Sequence, residues 1–210
     1  MIKAVLFDLD GTLVDSFDAI VISFNGALEA MGEKPRSRKE LVKCIGVPHE
    51  ETLKRLSKDP KKVKVGVKAF GSIRKRVSDK YTREIEGVRD VLLELKRKKI
   101  KTGVVTTTAR EMTESILRAT NLDYLMDVVV TRDDVSTLKP SPEPVLRALE
   151  LLNLKREGCI MVGDHPNDIM AAKNAGIMAV GMVNVFSAKE LKDIGADFVA
   201  EKIKDVLEVI

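Results

Sequence analysis

The chain has 210 residues, of which 44% are hydrophobic and 32% are charged. It can therefore bury a sizeable core, and its composition argues against a disordered protein. Its two cysteines, Cys44 and Cys159, have no metal-type spacing and offer no disulfide framework. The first apolar run is interrupted by Asp8, which makes it too short for a signal peptide or a membrane span. We therefore expect a cytoplasmic protein with no membrane partner.

The charge is unevenly distributed along the chain. Residues 34–83 carry 17 Lys and Arg against 5 Asp and Glu, a net charge of +12, whereas the remainder has a net charge of −8. This basic stretch is either a lid that attracts an anionic substrate or a solvated helical surface. Aromatic residues make up only 4% of the chain, and no nucleic-acid reader motif is recognisable. Nucleic acid is therefore not an expected partner.

The first part of the chain predicts one strand followed only by helices. Residues 2–8 read as a buried strand, and residues 16–31 read as a helix with Ser16 as its N-cap and Gly32 just past its end. Three further helices are predicted over 37–45, 49–58 and 60–80. Residues 16–83 are thus expected to form an all-helical insert without a strand.

After residue 84 the pattern changes to alternating helices and strands. The predicted order is helix 87–98, strand 101–106, helix 109–120, strand 128–130, helix 142–153, strand 159–162, helix 167–175, a strand within 177–183, and a last helix–strand–helix unit from 187 onward with its strand at 197–199. Such alternation predicts a parallel sheet that is covered by helices on both faces. The fold class is therefore α/β, with a core formed by residues 1–15 and 84–210.

Two carboxylates follow the first predicted strand. Asp8 and Asp10 are two residues apart and so can face the same side as the strand ends, and Gly11 allows a sharp turn after them. Carboxylates that close repel each other unless a cation or a shared proton lies between them. A hard divalent cation with oxygen ligands, most simply Mg²⁺, would satisfy the pair. Taken alone, the pair is equally compatible with an acidic turn.

Polar residues also follow the other predicted strands. They are Thr106, Thr107 and Thr108 after the second strand, Lys139 in the loop beyond the third, and Asp164 and Asp168 after the fourth. In an open parallel sheet, ligands bind beyond the carboxyl ends of the strands, so these side chains are expected to converge. Each has an ordinary structural explanation as a strand end, a helix cap, a solvated lysine or a first-turn acid. Together they indicate a cation site beside an anion site, the requirement for phosphoryl transfer.

These motifs resemble those of the haloacid dehalogenase superfamily. Asp8-Leu9-Asp10-Gly11-Thr12 is similar to the first superfamily motif, Thr106 to the second, Lys139 to the third, and Gly163-Asp164 with Asp168 to the fourth. The chain resembles hydrolases with a small helical (C1-type) cap inserted after the first motif, and it is similar to phosphoglycolate phosphatases. The resemblance implies a Rossmann-like core, with residues 16–83 as the cap, and Mg²⁺ as the cofactor.

The resemblance also implies a role for each matching residue. Asp8 is the nucleophile that forms an aspartyl-phosphate, and Asp10 is the acid that protonates the leaving alcohol and then the base that activates water. Thr106 and Lys139 hold the transferring phosphoryl oxygens, with help from backbone groups near Leu9 and Thr107. The implied metal ligands are the carboxylates of Asp8 and Asp164, the main-chain carbonyl of Asp10, and Asp168 acting through water.

Two further positions carry expectations of their own. His165 stands where Ser or Thr is common in the superfamily, and we interpret it as a loop histidine that is satisfied by local hydrogen bonds. Lys43, in a loop of the basic insert that ends at Gly46, is a candidate substrate-binding residue. The expected partner is a small anionic phosphorylated substrate, and the assembly is a monomer or a homodimer.

We therefore predict a Mg²⁺-dependent phosphatase that acts on phosphoglycolate, a sugar phosphate or pyrophosphate. Two alternatives remain open. A phosphosugar mutase of the same superfamily would return the phosphoryl group to the substrate instead of water. A phospho-accepting receiver-like signalling module also uses clustered Asp residues with Thr and Lys, although the helical insert and the first motif argue against it.

Overall fold

The computed structural model describes residues 1–57 and 59–210. The chain divides into two compact units, one formed by residues 1–14 and 84–210 and the other by residues 15–83. We call the first the sheet unit and the second the helical unit. None of the helices in the described part of the chain is long and apolar enough to cross a membrane.

The sheet unit contains a six-stranded parallel sheet flanked by helices. Its strands are β1 Ala4–Phe7, β4 Lys101–Val105, β5 Val128–Val130, β6 Cys159–Gly163, β7 Met178–Met182 and β8 Phe198–Ala200. Its helices are α5 Val88–Arg97, α6 Arg110–Ala119, α7 Glu143–Leu151, α8 Pro166–Ala175 and α9 Ala188–Asp193, with short 3₁₀ helices at Asp123–Leu125, Arg132–Asp134 and Ile203–Val209. The predicted α/β class is confirmed.

The strand order places β1 in the middle of the sheet. The order is β5-β4-β1-β6-β7-β8, and β1 pairs in parallel with β4 on one side and with β6 on the other. The chain moves outward from β1 to β4 and β5, and then returns to β6 on the opposite side of β1. The direction of winding therefore reverses between β1 and β6, which is the position where open α/β sheets bind ligands.

The alternation of side chains along β1 divides the core between the two faces of the sheet. Val5 and Phe7 belong to the layer that contains α5, α6 and the last 3₁₀ helix, whereas Ala4 and Leu6 belong to the layer that contains α7, α8 and α9. All four side chains are fully buried, as expected for a strand covered on both faces. This burial fixes the register of β1 and thus the position of the residues that follow it.

The described residues of the helical unit form four helices. They are α1 Phe17–Ala30, α2 Arg38–Val42, α3 His49–Leu56 and α4 Pro60–Tyr81. The ring of Phe70 lies 4.7 Å from that of Phe24 and stacks on His49 at 4.4 Å between centroids. Helix α4 begins where Asp59 accepts a hydrogen bond from Lys61 N–H at 2.9 Å, and Pro60 occupies its first turn.

Three sequence predictions need correction or qualification. The helix predicted over 49–58 ends at Leu56, and residue 58 lies outside the described residues. The insert is not free of strands, because Arg83 belongs to the two-residue strand β3 Arg83–Glu84, which pairs with β2 Val14–Asp15. The last predicted helix is the 3₁₀ helix Ile203–Val209. Two-residue strands are too short to show an alternating pattern, and hydrophobic spacing over seven residues does not separate 3₁₀ from α.

Candidate active site

The turn after β1 presents two buried carboxyl groups. Asp8 is 3% exposed and continues the ladder with β6, since its N–H donates to the carbonyl of Val162 at 2.8 Å. Asp10 is 8% exposed. A hydrogen bond from Leu13 N–H to Leu9 C=O at 3.0 Å closes the turn. Gly11 makes this turn possible, because its φ of +89° lies in the region that side chains disfavour.

Gly11 is also required for space. A Cβ atom at this position would lie 2.3 Å from Oδ2 of Asp164, far inside van der Waals contact. The absence of a side chain at Gly11 thus allows the turn after β1 to approach the carboxylate that follows β6. Thr12 strengthens this approach, because its hydroxyl donates to Asp164 Oδ1 at 3.3 Å.

Lys139 is a buried cation at the centre of the site. Its side chain is 2% exposed, and its Nζ donates to Asp8 Oδ1 at 2.8 Å, to Asp168 Oδ1 at 2.5 Å and to the carbonyl of Val105 at 2.9 Å. An ammonium group has three protons, so these three acceptors use all of them. Burial alone would lower the pKa of Lys139, but the carboxylates of Asp168 and Asp8 outweigh it and raise that pKa, so the lysine stays charged.

Three carboxylates meet beside this lysine. Asp8, Asp164 and Asp168 each offer an oxygen atom, and these atoms all lie within 4.8 Å of one another. Burial raises the pKa of Asp8 to about 7, and the charge of Asp168 adds to the increase while Lys139 opposes it. Burial, together with the charges of Asp8 and Asp168, also raises the pKa of Asp164 well above its usual value. Without a further cation, the site therefore disfavours the ionised forms of Asp8 and Asp164.

The start of α8 holds Asp168 in place. His165 is the N-cap residue, and its Nδ1 accepts from Asn167 N–H at 3.0 Å, while Asp168 Oδ2 accepts from His165 N–H at 3.0 Å. Both carboxylate oxygens of Asp168 thus accept hydrogen bonds from protein donors, His165 N–H and Lys139 Nζ. Burial lowers the pKa of His165, although Asp168 opposes the decrease. His165 is accordingly a neutral capping residue, consistent with a satisfied loop histidine.

The donor set suits a hard divalent cation. If all three carboxylates are ionised, Lys139 balances one of the three charges and two negative charges remain in a buried site. Carboxylate oxygens are the ligands that Mg²⁺ and Ca²⁺ prefer, and a divalent cation would neutralise the remaining charge. Gly163 supports this arrangement, because a Cβ atom there would lie 2.3 Å from the carboxyl group of Asp168. The cluster is therefore a suitable divalent metal site.

The loop after β4 contributes hydroxyl groups. Thr106 is 3% exposed, and its Oγ1 accepts a hydrogen bond from the backbone N–H of Thr108 at 3.1 Å. The hydroxyl of Thr108 in turn donates to Asp10 Oδ2 at 2.8 Å. Neither Thr107 nor Thr108 caps α6, whose N-cap is Ala109 without a side-chain bond. The threonines are thus available to the site instead of to the helix end.

The structure brings most of the predicted site residues together in the sheet unit. Hydrogen bonds or close oxygen atoms join Asp8, Asp164, Asp168 and Lys139, and a second set joins Asp10 to the loop after β4. Leu9 is fully buried and contributes backbone to the turn, and Thr107 is half-buried in the loop after β4. Lys43 belongs to the helical unit, where it ends α2 and is exposed.

Sequence reasoning missed two hydroxyl contacts and one carbonyl contact. They are Thr12 to Asp164, Thr108 to Asp10, and Lys139 to the carbonyl of Val105. The positions of Thr12 and Thr108 near predicted strand ends were visible in the sequence. Their partners were not visible, because a hydroxyl beside a turn predicts a local cap as readily as a contact 98 or 152 residues away.

Comparisons with known proteins agree with this geometry. The family model of haloacid dehalogenase-like hydrolases matches residues 5–182. The "Putative pyrophosphatase PpaX" of Caldanaerobacter subterraneus subsp. tengcongensis is 39% identical over 210 residues, which are 100% of this chain and 94% of that protein. Pyrophosphatase PpaX of Halalkalibacterium halodurans is 34% identical over 100% of this chain and 97% of that protein.

Solved structures of related proteins are also similar to the chain over almost its whole length. The crystal structure of a predicted phosphoglycolate phosphatase from Haemophilus somnus has a TM-score of 0.91 and 25% identity, covering 99% of this chain and 97% of that one. A predicted phosphatase from Clostridium acetobutylicum has a TM-score of 0.89 and 25% identity, covering 99% of both chains. The matched lengths thus include both units of the chain.

Proposed function

Since the chain belongs to the haloacid dehalogenase-like hydrolases and is a phosphatase, we propose that it hydrolyses a small phosphorylated metabolite through an aspartyl-phosphate on Asp8, with Mg²⁺ as its cofactor. The observation that carries the proposal is the buried lysine–carboxylate cluster, in which Lys139 Nζ lies 2.8 Å from Asp8 Oδ1. A nucleophilic carboxylate must be ionised, and Lys139 favours the ionised form in a site whose burial opposes it.

The residues have complementary roles in two successive steps. The Asp8 carboxylate attacks phosphorus, the bond to the leaving oxygen breaks, and Asp10 gives that oxygen its proton. Asp10 then takes a proton from water, the water oxygen attacks the phosphorus of the aspartyl-phosphate, and inorganic phosphate leaves as the Asp8 carboxylate is restored. Thr106 and Lys139 hold the phosphoryl oxygens, with backbone groups near Leu9 and Thr107.

Lys139 must exchange a hydrogen bond to take part. Its three protons are already used by Asp8, Asp168 and Val105 C=O. When the Asp8 carboxylate becomes an acyl-phosphate, its remaining carbonyl oxygen is uncharged and becomes a weaker acceptor, so an anionic phosphoryl oxygen is the natural new partner for that proton. Lys139 therefore donates this hydrogen bond to Asp8 before the transfer and to a phosphoryl oxygen after it.

The metal site proposed for Mg²⁺ uses the carboxylates of Asp8 and Asp164 and the main-chain carbonyl of Asp10, with support from Asp168. When bound, the ion would neutralise negative charge on the phosphoryl group and on the carboxylates that hold it. Because both oxygens of Asp168 accept hydrogen bonds from protein donors, its support through water fits better than direct ligation.

Pyrophosphate is the first candidate substrate, and phosphoglycolate is the second. One relative similar over the full chain is named a pyrophosphatase and another a "putative pyrophosphatase", and a structural relative with a TM-score of 0.91 is described as a predicted phosphoglycolate phosphatase. Residues 16–83 are proposed as the cap domain, which excludes water from the phosphorylated enzyme and selects the substrate. Lys43 is proposed as a substrate-binding residue of that domain.

The test is phosphate release from pyrophosphate, phosphoglycolate and a panel of sugar phosphates, with and without Mg²⁺. Activity that requires Mg²⁺ and disappears in Asp8→Asn supports the proposal, and the highest kcat/KM identifies the substrate class. Retained release in Asp8→Asn would exclude Asp8 as the nucleophile. Isomer formation without phosphate release would favour the mutase. An unchanged kcat/KM for every substrate in Lys43→Ala would remove that residue from the site.

A further inference from the structure

We infer that Thr108 is a positioning residue that orients the carboxyl group of Asp10 for proton transfer to the leaving group. The inference rests on the proposed function, in which Asp10 is the acid. It is carried by one contact between two loops that follow neighbouring strands, the hydrogen bond from Thr108 Oγ1 to Asp10 Oδ2 at 2.8 Å. The two residues are separated by 98 positions in the chain.

The backbone of Thr108 is itself fixed on both sides. Its N–H donates to Thr106 Oγ1 at 3.1 Å, and its carbonyl accepts from Arg132 N–H at 3.4 Å. The first of these bonds closes a local turn of the kind that Ser and Thr side chains form. With its backbone held in place and a branched Cβ that restricts χ1, Thr108 presents its hydroxyl in a defined direction.

This direction matters because a carboxyl group turns easily about its last torsion. That torsion is broad and roughly two-fold for Asp, so packing alone does not fix the plane of the group. A hydrogen bond to Oδ2 fixes that plane and therefore the direction in which Oδ1 points. A general acid must lie within hydrogen-bond reach of the atom that it protonates, and small errors in this geometry reduce the rate strongly.

Thr108 also connects the acid to the phosphoryl-binding residue. Thr106 accepts from the N–H of Thr108, and Asp10 accepts from its hydroxyl, so one residue sets the relative positions of both groups. The parallel pairing of β1 with β4, which brings Phe7 beside Val104, places the two loops next to each other. Removing the hydroxyl leaves both strands intact and affects the Asp10 contact specifically.

The test compares Thr108→Val with Thr108→Ser on leaving groups of different basicity. An alkyl phosphate needs a proton from the acid as its bond breaks, whereas p-nitrophenyl phosphate releases a stable anion and does not. We compare kcat/KM, which reports the steps up to release of the leaving group and not the later attack of water on the common aspartyl-phosphate. We expect Thr108→Val to lower kcat/KM about tenfold for the alkyl phosphate and less than about twofold for p-nitrophenyl phosphate. Thr108→Ser should restore most of the loss.

Two control variants separate a specific effect on Asp10 from a general effect of removing a hydroxyl group. Thr120→Val removes a hydroxyl that donates within its own helix, to Ile116 C=O at 2.8 Å and Leu117 C=O at 3.3 Å, and should leave both values of kcat/KM unchanged. Asp10→Asn should show an even larger difference between the two leaving groups. If it shows none, the proposed role of Asp10 fails and the inference fails with it. If Asp10→Asn shows the difference and Thr108→Val does not, the inference alone is wrong.

Two further results test whether Thr108 positions Asp10. An equal loss of kcat/KM for both leaving groups in Thr108→Val would mean that the loop as a whole, and not the acid, was disturbed, and would overturn the inference. A crystal structure of Thr108→Val gives a readout that does not depend on activity. We expect the Asp10 carboxyl plane to be rotated or disordered there, and an unchanged plane would contradict the role assigned to Thr108.

Discussion

Lys139 and Asp8 form an ion pair in which Nζ lies 2.8 Å from Oδ1 and both side chains are almost completely buried, with exposures of 2% and 4%. The same lysine contacts Asp168 Oδ1 at 2.5 Å. A buried pair gains little net stability over an apolar pair, but removing one partner leaves the other charge uncompensated. The pair therefore makes the stability of the sheet unit depend on the residues of its active site.

The first prediction concerns this lysine. Lys139→Met should lower the free energy of unfolding by about 3 kcal/mol and abolish phosphatase activity, because Asp8 and Asp168 lose their cation. The matched control is Lys101→Met, which breaks a pair with Asp127 whose lysine is 54% exposed and should cost less than about 1 kcal/mol. Denaturant unfolding of both variants checks the prediction, and equal losses would contradict it.

The second prediction concerns the pH dependence of stability without divalent ions. Burial raises the pKa of folded Asp8 from 3.8 to about 7, so the folded state binds a proton more tightly than the unfolded state does. The stability contribution of this group is complete below the unfolded pKa and is lost as pH rises through the folded pKa. The free energy of unfolding should therefore fall between about pH 4 and pH 7.

Asp8→Asn should remove much of this dependence. In EDTA, the variant should match the parent protein near pH 4 and exceed its free energy of unfolding near pH 8, by up to about 4 kcal/mol. Urea unfolding at both pH values measures the difference. A constant difference at both pH values would mean that Asp8 does not titrate in this range.

The third prediction concerns divalent ions. An ion that binds only the folded state should raise Tm, and this increase should grow with pH because the high pKa of Asp164 makes ion binding release a proton. Asp164→Asn should lose most of the Mg²⁺-dependent increase. Asp133→Asn, which changes an exposed carboxylate in the 3₁₀ helix Arg132–Asp134, is the control and should keep it. The same Tm increase in both variants would argue against the cluster as the ion site.

The fourth prediction tests the space at Gly11. Gly11 and Gly195 both have positive φ, of +89° and +108°, so alanine strains the backbone at either position by about 1 kcal/mol. A Cβ atom at Gly11 would meet Asp164 Oδ2 at 2.3 Å, whereas one at Gly195 would have, among the described residues, no atom within 4 Å other than those of its chain neighbours.

Gly11→Ala should therefore lower stability by about 1 to 3 kcal/mol more than Gly195→Ala, and it should reduce kcat at least about tenfold because Asp164 must move. Gly195→Ala should keep its activity. Thermal unfolding and steady-state kinetics measure both effects. Similar losses in the two variants would show that backbone strain, and not contact with Asp164, limits this position.

Much of the fold was predictable from particular stretches of sequence. The apolar strand before Asp8 and the alternation after residue 84 predict the parallel sheet, and β1, β4, β6 and α8 lie close to their predicted positions. These elements have clear periodicity or strong end signals, such as Pro166 and Gly176 at the two ends of α8. The pairing of β2 with β3 was not predictable, because two residues carry no period.

The sequence by itself determined which side chains follow each strand of the sheet, because hydrophobic spacing fixes where the strands end and parallel strands end at the same edge. Only the tertiary structure decided which of these side chains meet. It placed Lys139 against Asp8, Asp168 and the carbonyl of Val105, and it joined Thr108 to Asp10 and Thr12 to Asp164. Such contacts depend on the strand order and on loop conformations a few ångströms apart, which local sequence patterns do not encode.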